Sequence, residues 1–291
     1  MKGSMVALVT PFKNKEIDYN ALEKLIDFHL LNQTDAIVLL GTTAEAATLA
    51  NDEKESLLRF ATQRLKGKLP IIIGTGSNNV SQTISNTVKA EHFGADAALI
   101  VTPYYNKPTQ EGIYLYYKEI VRNTNIPIIM YNVPGRTGCN QSAETTIRLA
   151  NEFPGKIIGI KEASADLVQA GKIIKYAPKE FFVLSGEDAL NLPLMCIGAK
   201  GCISVTANIV PLKMHQLIQY ALDGNFKEAN KIHLELIELN QNMFIETNPI
   251  PVKNALALMG MMEKEVRLPL CDLKAENLMI IESCLKQYQL I

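Results

Sequence analysis

A lysine closes the apolar run Ile157-Ile-Gly-Ile-Lys161 and a tyrosine closes the run Ile126–Tyr131. Two adjacent threonines follow Ala36–Leu40 as Gly41-Thr42-Thr43, and Arg136 stands in a Pro-Gly-Arg-Thr-Gly turn. In a strand, alternation puts Gly159 and Lys161 on one face, with room beside the amine for a covalent adduct. A lysine of ordinary pKa is neutral about once in 2,500 molecules at pH 7. Apolar burial or a nearby cation raises that fraction, and a neutral amine attacks a carbonyl to give a Schiff base. The plainer alternative pairs Lys161 with Glu162 or Glu187 at a strand end. A hydroxyl at Tyr131, oriented by Thr43, can relay protons during imine formation. Tyr131, Tyr104 and Tyr105 can equally be amphipathic rings at a core edge. Arg136 can aim a guanidinium fork at a carboxylate, or be a solvated turn residue.

Other constellations carry less. His29, His92, His215 and His233 all fall in stretches of helical period, at no spacing that suits a metal. Gly74-Thr-Gly76 lacks the third glycine of a dinucleotide fingerprint, and no Gly-x-Ser-x-Gly or phosphate loop occurs. Met259-Gly-Met-Met262 reads as core packing.

The elements that must position these residues repeat. Eight short β-branched runs read as strands: Met5–Val9, Ala36–Leu40, Ile71–Gly74, Ala98–Thr102, Ile126–Tyr131, Ile157–Lys161, Phe181–Ser185 and Cys202–Val205. Amphipathic stretches separate them, with Leu22, Leu25, Ile26 and Leu30 at helical spacing in the first. Asp52, Ser81, Thr109 and Ser142 read as polar helix starts. Strand–helix alternation at near-regular intervals predicts a closed (β/α)8 barrel, with a doubly wound open sheet as the alternative. After Ile209 the pattern is helical: Leu212–Leu222, Phe226–Glu246, Pro251–Met259 and Ala275–Gln289. We therefore expect a barrel over residues 1–224 and a helical extension over 225–291, with no linker marking a free-standing second domain. Catalysis in such a barrel belongs at the C-terminal strand ends, where the polar residues converge.

Of the 291 residues, 47% are apolar and 20% charged, and the net charge is −1, so a large core is expected and general nucleic-acid binding is not. No apolar stretch approaches the length of a membrane span. The five cysteines are scattered, without a disulfide framework, which suits a reducing compartment. A cytoplasmic location is the expectation.

Five segments together resemble the dihydrodipicolinate synthase family: Gly41-Thr-Thr-Ala-Glu45, Thr102-Pro-Tyr-Tyr-Asn-Lys-Pro108, Tyr131-Asn-Val-Pro-Gly-Arg-Thr-Gly138, Lys161-Glu-Ala-Ser164 and Asn248-Pro-Ile-Pro-Val-Lys253. That family belongs to the pyruvate-dependent class I aldolases, alongside N-acetylneuraminate lyase. The resemblance spans nearly the whole chain, and the Pro-Gly-Arg-Thr-Gly turn is its most specific part. It implies that Lys161 forms an imine with pyruvate, whose enamine attacks L-aspartate 4-semialdehyde; cyclisation then releases 4-hydroxy-tetrahydrodipicolinate, without metal or organic cofactor. It implies Tyr131 as general acid/base, linked through Thr43 to a Tyr105 that reaches in from a neighbouring subunit. Thr42 and Thr43 would take the pyruvate carboxylate and Arg136 that of the semialdehyde, while Gly186 and Ile203 line the pocket. A homotetramer of two tight dimers is the implied assembly.

There are departures. Family members usually carry Gly where Ala44 stands and Ser or Ala where Ala46 stands. Alanine adopts positive φ less freely than glycine, so this turn is expected to differ slightly. Lysine-sensitive members often have histidines at the places of Asn51 and Lys54 and a glutamate at that of Gln82, so weak or absent inhibition by lysine is expected. Competing readings are a sugar-acid aldolase with the same Lys161 chemistry, which Arg136 disfavours, and a silent barrel that only binds a keto acid.

Overall fold

A strand whose two faces are both apolar needs cover on both sides, and the Ile- and Val-rich runs obtain it by closing on themselves under a ring of helices. The computed structural model describes residues 1–291. Its barrel strands are β1 (Gly3–Ala7), β2 (Ala36–Leu39), β3 (Ile71–Gly74), β4 (Ala97–Val101), β5 (Ile128–Asn132), β6 (Ile157–Glu162), β7 (Phe182–Ser185) and β8 (Gly201–Ser204). All neighbours are parallel, and β1 pairs with both β2 and β8, which settles the barrel over the open sheet. Met5, Ala7, Ala36, Val38, Ile72, Leu99 and Leu184 fill the interior. The alternate residues, among them Val6, Ile37, Ile73, Ile100 and Val183, pack outward against the helices.

Helices α1 (Tyr19–Leu31), α2 (Asn51–Leu65), α3 (Val80–His92), α4 (Gln110–Asn123), α5 (Ala143–Glu152), α6 (Leu167–Tyr176), α7 (Asn191–Cys196) and α8 (Pro211–Leu222) alternate with the strands. Thr109 and Ser142 cap α4 and α5 as expected, accepting from the amides of Gly112 and Thr145. Two expected caps are displaced. Helix α2 begins before Asp52, with Glu53 reaching back to the Ala50 amide at 2.8 Å, and Asn79 rather than Ser81 caps α3. A small hairpin, Phe12–Lys13 with Glu16–Ile17, follows β1 and has no apolar run to announce it.

Beyond α8 lie α9 (Phe226–Glu235), α10 (Ile237–Asn242), α11 (Ile250–Leu258) and α12 (Ala275–Gln287). The single helix expected over Phe226–Glu246 is therefore broken near Leu236. Leu239, Met243, Val252, Leu256, Ile281 and Leu285 from these helices share one apolar core with β1, β2 and their covering helices. A buried ion pair adds to this contact: Lys253 Nζ on α11 lies 2.6 Å from Glu45 Oε1, both side chains all but inaccessible. The second Glu45 oxygen accepts from the Arg267 amide at 2.8 Å, and the Lys253 and Arg267 cations both lie over the Phe12 ring. Burial pushes the Lys253 pKa down, against the pull of Glu45. No helix is long and apolar enough to cross a membrane.

Two stability predictions follow from this core. Removing one partner of a buried pair strands the other charge, so Lys253→Met should cost about 3–5 kcal/mol in urea denaturation. Adding Glu45→Gln should recover part of that loss; no recovery would show that the pair is not coupled. The second concerns His29, fully buried on α1, with Nδ1 on Thr34 Oγ1 at 2.8 Å and Nε2 without a partner. Burial drives its pKa from 6.5 down to about 3. As pH falls through 6.5 the unfolded chain gains this proton and the folded chain does not, so stability drops until pH approaches 3. The wild type should lose up to about 1.4 kcal/mol per pH unit more than His29→Gln between pH 6 and 4, and parallel curves would refute it.

Candidate active site

Which residues of β6 face the barrel interior depends on an irregularity in the strand. Ile128 of β5 pairs with Ile157, but Ile129 pairs with Gly159, so β6 holds one extra residue there. Ile157 packs among the outer-layer residues while Ile158 lies against the interior cluster. Simple alternation from Ile157 as an outward residue would turn Lys161 out and Glu162 in; the bulge reverses this. Above it, Tyr131 pairs with Lys161 and Asn132 with Glu162. Lys161 and Tyr131 are both buried, with Nζ 4.4 Å from the centre of the tyrosine ring.

The alternative for Lys161, an ion pair with Glu162 or Glu187, does not form. Glu162 points to the opposite face of the sheet and accepts from the Ser164 amide, Asn132 and Gln169. Burial raises its pKa, against those hydrogen bonds. Glu187, after β7, is also raised, by burial first and then by Asp188, with Lys161 pulling the other way.

The space beside the lysine comes from a different glycine than the sequence suggests. A Cβ on Gly159 would run into the Phe182 ring, so that side of β6 is filled. A Cβ on Gly186, just past β7, would lie 2.9 Å from Lys161 Cε and 2.7 Å from Ala163 Cβ. Gly186 is the residue whose missing side chain leaves the lysine stem room. Ile203 on β8 is buried in the interior cluster below.

The second loop is a single helical turn, Thr42–Ala44. The left-handed conformation falls on Glu45, at φ 53°, and not on Ala44, so the alanine carries no strain and the turn needs no glycine there. Thr10 Oγ1 on the Ala44 carbonyl (2.8 Å) and the Lys253 bond to Glu45 hold the turn from two sides. Thr42 is exposed at the mouth and Thr43 is buried. Thr43 Oγ1 accepts from Asn248 Nδ2 at 3.0 Å. The Asn248 carbonyl in turn accepts from Arg136 at 3.2 Å, so one residue of the extension touches both loops. Arg136 lies on the helical turn Pro134–Thr137, closed by Gly138 at φ 69°, with its side chain otherwise at the surface.

Tyr105 stands apart. It follows β4 at φ 71°, is 90% exposed, and makes no side-chain hydrogen bond within its own chain. No hydrogen bond joins Thr43 to Tyr131 or Tyr105 in the single chain. Lys161, Tyr131 and Gly186 are thus in one cluster, Thr43 and Arg136 are bridged by Asn248, and Thr42 and Tyr105 face outward. Sequence reading gave Asn248 and Lys253 no role, because their partners Thr43 and Glu45 lie 205 and 208 residues away. The only available signal was the quoted Asn248–Lys253 segment itself.

Residues 1–288 match the Dihydrodipicolinate synthetase family. A 4-hydroxy-tetrahydrodipicolinate synthase from Thermodesulfovibrio yellowstonii is 52% identical over 276 residues, 95% of this chain and 94% of that protein. The crystal structure of dihydrodipicolinate synthase from Aquifex aeolicus superposes with a TM-score of 0.98 at 46% identity, covering 100% of this chain and 99% of that one. A dihydrodipicolinate synthase from Acinetobacter baumannii, complexed with pyruvate, gives 0.97 at 42% identity, covering 100% and 99%. A bulged strand bearing a buried, unpaired lysine, a Pro-Gly-Arg-Thr-Gly turn at the same barrel mouth, and likeness along the full length agree: the chain belongs to the dihydrodipicolinate synthetase family.

Proposed function

We propose that this enzyme condenses pyruvate with L-aspartate 4-semialdehyde to give 4-hydroxy-tetrahydrodipicolinate, in the diaminopimelate route to lysine. The observation that carries the reading is Lys161: buried, free of any carboxylate partner, packed on Tyr131 and given room by Gly186. The Lys161 amine adds to the keto carbon of pyruvate, and loss of water leaves an imine. The protonated imine withdraws electrons from the methyl carbon, which gives up a proton and becomes an enamine. That carbon attacks the aldehyde of the semialdehyde. The semialdehyde's amino group then attacks the imine carbon, closes the ring and expels the Lys161 amine. The imine is the electron sink and no oxidation state changes overall, so the chemistry calls for no redox cofactor.

Tyr131 serves as the general acid/base, with Thr43 and Tyr105 completing the proton relay. Thr42 and Thr43 receive the pyruvate carboxylate, Arg136 receives that of the semialdehyde, and Ile203 lines the floor. The near-complete exposure of Tyr105 supports its use by a neighbouring subunit, and hence a tight dimer. Exposed Leu167 and Val168 on α6 and Ile197 after α7, on adjacent helices, support a second contact and a homotetramer. The five free thiols support a cytoplasmic location.

Borohydride reduction in the presence of pyruvate should add one reduced pyruvyl group to the intact mass, on Lys161, and Lys161→Ala should add none. Gly186→Ala, which crowds the lysine stem, should slow this trapping and lower kcat about 100-fold. Consumption of N-acetylneuraminate in place of the semialdehyde would reverse the substrate assignment. L-Lysine should inhibit weakly or not at all. Gln82 brings no charge, its amide binding Asn86 at 2.8 Å, and Lys54 adds a like charge to any bound ammonium. A sub-millimolar inhibition constant for L-lysine would contradict this.

A further inference from the structure

Directly behind Lys161 and Tyr131, on the outer face of the same two strands, sits a buried polar cluster that the reaction above does not use. Asn132 follows Tyr131 and Glu162 follows Lys161, and the register sets the two side by side. Asn132 is 0% and Glu162 2% exposed. Asn132 Nδ2 donates to both carboxylate oxygens of Glu162, at 3.1 and 3.2 Å. The same carboxylate accepts from the Ser164 amide at 2.8 Å and from Gln169 Nε2 at 3.1 Å. Donors surround it on every side, an arrangement that only an acceptor can satisfy.

Asn132 also reaches the other way. Its Nδ2 donates to Asn140 Oδ1 at 2.7 Å, and its Oδ1 accepts from the Gln141 amide at 2.9 Å. Residues 133–140 form the loop that carries Arg136, so this one amide closes the loop at its base. The main chain continues the connection, with the Ala163 amide on the Asn132 carbonyl at 2.9 Å and the Gly186 amide on the Glu162 carbonyl at 2.8 Å. A polar cluster of this kind is costly in alternative arrangements, because a slipped strand leaves each group buried and unpaired.

We propose that Asn132 and Glu162 are positioning residues: their contact across β5 and β6 fixes the register above the bulge, and so holds Lys161 against Tyr131 and ties both to the Arg136 loop. Without it, a slip of one residue at the bulge would exchange the faces of Lys161 and Glu162. The inference rests on the lysine Schiff-base reading.

The test uses Glu162→Gln, Asn132→Asp, their double exchange, and the milder Gln169→Met, which removes one donor to Glu162. For each, borohydride trapping of pyruvate and steady-state kinetics are referred to the folded fraction measured by circular dichroism. Glu162→Gln and Asn132→Asp should lose about 10- to 100-fold in kcat and in trapping rate per folded molecule, with the larger part in kcat rather than in the KM for pyruvate. Gln169→Met should show a smaller loss of the same kind. The double exchange puts one carboxylate opposite one amide again and should recover at least several-fold over either single variant. Losses that vanish once corrected for the folded fraction, or a double exchange no better than its parents, would overturn the proposal. If a single variant does not fold, Gln169→Met at wild-type kcat overturns it. A wild-type chain that traps no pyruvate would instead overturn the Schiff-base reading, and this inference with it.

Discussion

The register between β5 and β6 is the constraint on which the rest of the site depends. One extra residue near Ile158 decides whether the interior of the barrel receives an amine or a carboxylate. With the bulge, Lys161 enters beside Tyr131 and Glu162 turns outward into amides. An inward Glu162 would put a carboxylate where the proposed reaction needs the Lys161 amine. The interior layers below, from Met5 to Leu184, are apolar and buried, as the inside of a filled barrel requires.

Around this pair the structure divides its labour between elements that create space and elements that hold loops. Gly186 creates space, at the one position where a methyl group would press on the lysine stem. The helical extension holds loops. Asn248 touches Thr43 and Arg136, and Lys253 neutralises Glu45 behind the threonine turn. A barrel mouth built from separate loops has no intrinsic rigidity. Here the second and fifth loops gain a common support that the barrel strands do not supply. The extension therefore braces two loops at the mouth of the barrel, although none of its residues was assigned chemistry from the sequence.

Charge at the mouth is arranged with the same economy. Three fully buried carboxylates are committed to other groups: Glu162 to amides, Glu45 to Lys253, and Asp188 to the amides of Val205 and Thr206; only the half-buried Glu187 feels Lys161, without an ion pair to it. None neutralises Lys161.

The sequence by itself determined eight parallel strands covered on both faces by amphipathic helices, because runs apolar on both faces need cover on both sides; that the first strand closes on the eighth, and not into an open sheet, was decided by the tertiary pairing. It also determined the inventory at the strand ends, Lys161, Tyr131, Thr42, Thr43 and Arg136, because polar residues that close buried strands stand out against period-2 apolarity. Local capping was legible where a Thr or Ser preceded its helix and was missed where Glu53 or Asn79 did the work. Tertiary structure alone decided the rest. The glycine in Ile-Ile-Gly-Ile is a weak hint of a bulge, but the isoleucines beside it suit either face, so the extra residue and the resulting register were not legible. Gly186 in place of Gly159 as the space beside the lysine follows from where the Phe182 ring lands. The supports from Asn248 and Lys253 join residues more than 200 positions apart. Strand periodicity records which face a residue takes, whereas these contacts depend on which distant atoms come to lie opposite it, and that is fixed only when the barrel closes.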